Sequence, residues 1–167
     1  MRIVGRAARC YIRRNRTGQR VDGSGMGRTM TKIKLSNYGD FWTSLQGGVP
    51  REQIRSVEID ALVDTGAGEL AIPADVAERL GLLTIDRRIV RYADGRTESI
   101  PYAGGLLIEI LGRKMIGCAY VLPAGTTPLL GQIPLEALDL VVTPRTQEVT
   151  VNPASPDFPL LDLLAAA

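Results

Sequence analysis

The stretch that decides the fold reads Ala61-Leu62-Val63-Asp64-Thr65-Gly66-Ala67. An apolar run of this kind predicts a buried strand, here one that ends at Asp64. A carboxylate at the end of a buried strand is costly unless it is hydrogen-bonded or paired. Gly66 permits a tight turn directly after it, because glycine tolerates backbone conformations that other residues avoid. The stretch therefore predicts a strand that delivers one carboxylate into a tight turn.

The composition favours a mainly β domain around this stretch. A length of 167 residues fits one domain, and a hydrophobic content of 45% is enough for a core. Aromatic residues are sparse, so Val, Ile and Leu carry most of the apolar surface. The 18 glycines and 10 prolines indicate many turns and short strands.

The residue types that are missing exclude several kinds of chemistry. The chain has no histidine, which removes Ser-His and Cys-His catalysis and any His-ligated metal site. Cys10 and Cys118 are far apart and form neither a disulfide framework nor a zinc pattern, so we expect a reducing, cytoplasmic location. No apolar run is long enough to span a membrane. We predict no metal site, no cofactor and no membrane partner.

The charge is distributed unevenly along the chain. Residues 1–25 carry seven arginines against one acid, Asp22, hence a charge of +6, and the overall charge of +2 leaves −4 (+2 minus +6) for the rest. We predict that residues 1–29 are a disordered basic arm. A nucleic-acid-binding arm, a transit peptide and a translation start at Met26 or Met30 are alternatives. The acidic remainder gives no electrostatic reason to expect a nucleic-acid partner.

Local patterns divide the remainder into a domain at residues 30–152 and a Pro-rich tail at 153–167, which is either mobile or docked through its leucines. The patterns predict strands at residues 31–35, 51–63, 70–72, 88–92, 97–100, 106–111, 115–122, 140–142 and 148–151. They predict a loop at residues 37–50, pinned to the body by Phe41 and Trp42. Short helices are expected from Pro73 to Gly81 and at residues 134–138. Cys118 is expected to pack in the core.

One pattern occurs twice. An apolar strand, a glycine turn and a short helix follow one another around Gly66 and again around Gly131, within Thr127-Pro128-Leu129-Leu130-Gly131-Gln132. This repetition suggests two pseudo-equivalent halves, of which only the first carries an aspartate. A hairpin is also predicted, because Asp94-Gly95 separates two strand-like runs.

Residues 57–142 resemble retropepsin-like aspartic proteases, and most closely the compact prokaryotic members of that family. The resemblance rests on residues 61–67, on Pro128-Leu129-Leu130-Gly131-Gln132 before a short helix, and on Leu107-Ile108-Glu109-Ile110-Leu111-Gly112-Arg113-Lys114. It implies a closed, mainly β acid-protease barrel and a homodimer to which each chain contributes one aspartate. The residues agree with the dimer, because no other Asp is followed by Thr-Gly or Ser-Gly and a proteolytic dyad needs two close carboxylates.

The resemblance also implies how the site works. One Asp64 is the general base for a water, the other donates a proton to the scissile carbonyl of a peptide or protein substrate, and Thr65 bonds to Thr65 of the other chain. The hairpin at residues 88–102 is the flap that closes over the substrate. The implied catalytic residues are Asp64, Thr65 and Gly66, and the implied substrate-binding residues are Ala67, Gly68, Tyr92, Ala93, Asp94, Gly95 and Arg96.

Two further positions of the site bear on the resemblance. Ala67 stands where retropepsins carry an alanine and pepsin-like enzymes a serine, whose hydroxyl can bond an Asp carboxylate and favour its charged form. The absence of a serine at position 67 predicts activity nearer to neutral pH. Gly68 lacks the polar side chain often found there, which affects specificity. The alternatives to an enzyme are a non-catalytic dimer of the same fold that binds a peptide or protein, and a structural dimerisation module.

Overall fold

The computed structural model describes residues 28–91 and 95–161, which hold nine strands and three α-helices. The strands are β1 (Met30–Asn37), β2 (Ser56–Val63), β3 (Leu70–Pro73), β4 (Leu83–Arg91), β5 (Thr97–Ile110), β6 (Arg113–Leu122), β7 (Leu129–Leu130), β8 (Leu140–Thr143) and β9 (Glu148–Val151). The helices are α1 (Tyr38–Leu45), α2 (Ala74–Arg79) and α3 (Gln132–Ala137). The predicted basic arm lies outside the described residues, except for Arg28 and Thr29.

The main sheet closes on itself. Its seven strands follow the order β1-β2-β7-β3-β6-β5-β4, and β1 also pairs with β5, so that six strands form a ring and β4 extends from β5. Strands β8 and β9 form a separate hairpin. The prediction of a mainly β, closed fold is confirmed.

The core fills the inside of this ring. Strands β1 and β2 are antiparallel, with Leu35 opposite Val57, and both side chains are buried. Along β2, Val57 and Ala61 are buried and lie on the same face of the strand. The largest fully buried side chains are Ile33, Leu35, Leu70, Ile72, Leu80, Leu106, Ile108, Ile110, Leu130 and Leu138.

The predicted loop at residues 37–50 is wrong over Tyr38–Leu45, which is helix α1. Asn37 explains it: its Oδ1 accepts from the backbone N–H of Asp40 at 3.1 Å, and its Nδ2 donates to the carbonyl oxygen of Leu80 at 2.9 Å. No residue of α1 is buried, and Trp42 is half exposed. The apolar residues of α1 do have the i, i+3, i+4, i+7 spacing of a helix, but the pattern is short and the cap at Asn37 is what fixes the start of the helix.

The other predicted elements need smaller corrections. Arg51–Gln53 is a 3-10 turn, and the strand begins only at Ser56. The two strands predicted at 97–100 and 106–111 are one strand, β5, because Gly105 takes a positive φ of 77° and allows a bulge between Ala103 and Leu106 instead of a break. The predicted helix after Pro73 is present as α2, and Gly81 ends it with a φ of 61°.

The tail and Cys118 also differ from expectation. Cys118 is half-buried rather than packed in the core. The described part of the tail is held by polar contacts rather than by leucines: Ser155 Oγ and the N–H of Leu160 donate to Asp139, while the side chain of Leu160 is exposed. Within residues 28–91 and 95–161, no helix has the length and apolar character needed to cross a bilayer.

Candidate active site

Strand β2 places Asp64 at the edge of a loop. Main-chain hydrogen bonds fix this part of the backbone from two sides. Leu62 and Val63 run parallel to Leu129 and Leu130 of β7. The N–H of Asp64 donates to the carbonyl oxygen of Leu130 at 3.0 Å, and the N–H of Val63 donates to that of Thr29 at 2.9 Å. The backbone that carries the carboxylate is thereby fixed by its neighbouring strands.

The turn after Asp64 acts on the carboxylate itself. The N–H of Gly66 donates to Oδ1 of Asp64 at 2.9 Å, and the N–H of Ala67 donates to the carbonyl oxygen of Asp64 at 3.0 Å. A Cβ on Gly66 would lie 3.2 Å from Oδ1, so a side chain there would crowd the carboxylate. Asp64 and Thr65 are exposed in the single chain. The loop thus presents a hydrogen-bonded carboxylate at the surface.

The repeated glycine turn lies directly against this loop. Beyond Gly131, the N–H groups of Gln132 and Ile133 donate to the carbonyl oxygens of Ala67 and Gly68 at 2.9 and 2.8 Å. The two turns that share a sequence pattern are therefore neighbours in space, and the second one supports the backbone of the first.

A cleft of about 340 Å³ lies beside the loop and under strand β4. Gly66, Ala67 and Gly68 line it from the loop side, as the sequence suggests for the last two. The other lining residues are Glu69, Ala71, Ile89, Val90, Arg91, Ile100, Tyr120, Leu122 and Leu129. Most of these are apolar, so the cleft is suited to aliphatic groups with a few polar contacts.

The remaining predicted substrate-binding residues lie between β4 and β5 in the sequence. Tyr92, Ala93 and Asp94 lie outside the described residues. Gly95, with a φ of 88°, and Arg96 are exposed and do not line the cleft in this structure. Their assignment to substrate binding stays a prediction.

Sequence reasoning missed a polar cluster beside the cleft. Glu69 and Tyr120 line the cleft, whereas Arg88 and Tyr102, which contact them, do not. The hydroxyl of Tyr102 donates to Glu69 Oε2, and Arg88 Nη1 lies 3.3 Å from Glu69 Oε1. The guanidinium carbon of Arg88 lies 3.7 Å from the ring centroid of Tyr102, and the rings of Tyr102 and Tyr120 are 5.2 Å apart. The pairing of two tyrosines across β5 and β6 could have drawn attention to this cluster, but only after the register was known.

The electrostatics of the cluster follow from its contacts. Burial, together with hydrogen bonds to Glu69 and Cys118, raises the pKa of Tyr102, so this hydroxyl stays protonated and donates. A hydrogen bond with Tyr120 raises the pKa of Arg88 further above its ordinary value. In residues 28–91 and 95–161, no three His, Cys, Asp or Glu side chains are grouped to hold a metal ion.

Comparison with known proteins agrees with this geometry. The family model described as aspartyl protease matches residues 52–152, which is more than half of the chain and includes the Asp64 loop, the cleft and the Gly131 turn. No curated protein matches the chain at a significant level. The chain belongs to this retropepsin-like aspartyl protease family.

Proposed function

We propose that the chain is an aspartic endopeptidase that works as a homodimer, with one Asp64 from each chain. The observation that carries this proposal is the placement of Asp64: its exposed carboxylate stands on a loop fixed by β7, next to an apolar cleft under a hairpin. Family membership supports a protease-like function. The homodimer and the catalytic mechanism are our proposals.

The need for a second chain follows from the acidic residues near the cleft. A proteolytic dyad needs two carboxylates close enough to share one proton. Glu69 is the acidic residue among those lining the cleft, and its oxygens are already bound by Arg88 and Tyr102. Glu69 is therefore unsuited to be the partner of Asp64. A two-fold axis near the exposed Asp64 loop would supply the partner from a second copy.

The chemistry then follows from the pair. One ionised Asp64 removes a proton from a water while the protonated Asp64 donates to the carbonyl oxygen of the scissile bond. The two carboxyls titrate as one unit, so neither protonation state belongs to a fixed chain. The N–H of Gly66 keeps its Asp64 carboxylate oriented. The β4–β5 hairpin closes over an extended peptide, pairs with it as a strand and excludes water.

The test is cleavage of an unfolded protein by purified enzyme, beside Asp64→Asn. We expect the substitution to reduce kcat by at least about 10³-fold, because it removes the group that activates the water. Asp60→Asn is the matched control, since Asp60 lies on the same strand, is exposed and pairs only with Lys32 at 3.2 Å among the described residues. Equal cleavage by wild type and Asp64→Asn would rule out the protease proposal.

A binding-only dimer gives a different result in the same assay. Neither wild type nor Asp64→Asn would then cleave the substrate, and both would bind an extended peptide with the same affinity. Peptide binding measured by fluorescence anisotropy separates this outcome from loss of folding.

A further inference from the structure

The cleft wall contains a carboxylate that is fully engaged by the hairpin. Glu69 follows the Asp64 loop, and its side chain is 22% exposed. Its Oε1 faces Arg88 Nη1 at 3.3 Å, and its Oε2 accepts from the Tyr102 hydroxyl. These two donors come from β4 and β5, which are the two strands of the hairpin.

Glu69 lines the cleft and Arg88 does not, so Arg88 can act on the cleft only through its contact with Glu69. The geometry points to Arg88 as a residue that determines the specificity of the cleft in this way. We propose that Arg88 masks the Glu69 carboxylate from substrate, so that the cleft selects neutral, apolar side chains and does not bind lysine or arginine at this wall. This inference rests on the proposed protease function. By the same contact, Arg88 ties strand β4 to the loop that carries Asp64.

The residue type at position 88 suits this role. A guanidinium can bond a carboxylate and lie flat on an aromatic ring at the same time, and Arg88 does both, with its carbon 3.7 Å from the centre of the Tyr102 ring. The stacking fixes the side chain beside Glu69 although it is 42% exposed. A lysine would keep the charge but not the planar stacking.

Loss of Arg88 would expose an anion in an apolar wall. Glu69 would retain the Tyr102 hydroxyl as a donor and lose its positive partner. A substrate lysine could then restore the missing charge. We expect roughly a tenfold gain for such substrates, the effect of one hydrogen bond to a charged group.

The first experiment measures selectivity with pairs of peptides that differ by Lys or Met at one position, scanned through the cleaved sequence. Arg88→Met should raise the ratio of kcat/KM for Lys over Met about tenfold at one position, mainly through a lower KM. The double variant Arg88→Met with Glu69→Gln should lose this gain. An unchanged ratio in Arg88→Met, or a gain that persists in the double variant, would overturn the proposal.

The matched control is Arg87→Met. Arg87 is the neighbouring arginine on the same strand, and neither arginine lines the cleft. Arg87 donates to Ser99 at 3.2 and 2.7 Å, whereas Arg88 donates to Glu69. Arg87→Met removes one positive charge from β4, as Arg88→Met does, but leaves the contact with Glu69 intact. The ratio of kcat/KM for Lys over Met should therefore remain that of wild type. Arg88→Gln replaces Arg88→Met if the latter does not fold.

The second experiment does not depend on catalysis. Hydrogen exchange of the backbone amides of β4 should be several-fold faster in Arg88→Met than in Arg87→Met, because only the former frees the strand from the Asp64 loop. Equal rates of β4 amide exchange in Arg88→Met and Arg87→Met would contradict a contact between Arg88 and Glu69 that holds the strand. If wild type cleaves no peptide while β4 exchange still depends on Arg88, the protease proposal fails and the contact stands.

Discussion

Gly131 lies against the backbone of Glu69 with no room for a side chain. A Cβ at position 131 would stand 2.4 Å from the carbonyl oxygen and 2.7 Å from the backbone nitrogen of Glu69. Neither atom can move without shifting the loop that carries Asp64. The φ of Gly131 is −83°, so the requirement for glycine comes from close approach and not from backbone strain.

Gly131→Ala should therefore lower the free energy of unfolding by about 2 kcal/mol or more, because the extra methyl group meets backbone atoms. Urea denaturation measures this directly. Gly68→Ala is the control: no atom lies within 4 Å of a Cβ at position 68, so its unfolding curve should stay close to wild type. Similar urea midpoints for Gly131→Ala and Gly68→Ala would contradict this prediction. They would mean that the Gly131 turn and the Asp64 loop separate easily.

Ala67→Ser should move the acid limb of the kcat/KM profile to lower pH. A serine hydroxyl beside the dyad can donate to the ionised carboxylate and favour that form, so the pair would keep its active protonation state at lower pH. The pH–rate profile of wild type and variant on one peptide tests this. A wild-type profile that already peaks near pH 3 would contradict the expectation drawn from Ala67.

Mixed dimers should be inactive if each chain supplies half of the dyad. When wild type is refolded with an equal amount of Asp64→Asn, about half of the wild-type chains should pair with a variant chain and lose activity. Activity per wild-type chain should therefore fall to about half and continue to fall with more variant. Mixing with Asp60→Asn is the control, and activity per total chain should then stay at the wild-type value. Activity that is independent of added Asp64→Asn would show that one chain suffices.

The carboxylate of Asp139 should stabilise the fold near neutral pH and lose this effect as the pH becomes acidic. Hydrogen bonds from Ser155, the N–H of Leu160 and Asn152 hold the pKa of Asp139 well below its ordinary value. A depressed pKa in the folded state stabilises the fold above the unfolded value of about 3.9 and loses this effect as pH falls through the folded value. The difference in Tm between wild type and Asp139→Asn should thus be constant near neutral pH and shrink below about pH 4.

The control for Asp139 is Asp60→Asn. Asp60 forms one exposed ion pair with Lys32, at 3.2 Å, so its loss should lower Tm less at any pH. A Tm difference for Asp139→Asn that grows on acidification would reverse the sign of the predicted linkage.

Sequence reasoning recovered the elements whose signal is local. The strand before Asp64, the turn at Gly66, the second turn at Gly131 and the α2 helix after Pro73 all follow from apolar runs and from glycine or proline at fixed offsets. It missed α1 although Tyr38, Phe41, Trp42 and Leu45 have helical spacing, because this pattern covers only about two turns and includes Gly39. It broke β5 in two, because Gly105 in a strand can mark either a turn or a bulge.

The sequence by itself determined the candidate for the chemistry that we propose: Asp64 is the aspartate in an Asp-Thr-Gly turn, and that signal needs no distant contact. The tertiary structure alone decided that β1 closes the ring against β5, that Gly131 packs on Glu69, and that Arg88 holds the Glu69 carboxylate. These relationships join residues far apart in the chain. They depend on sheet register and close packing, which local periodicity does not encode.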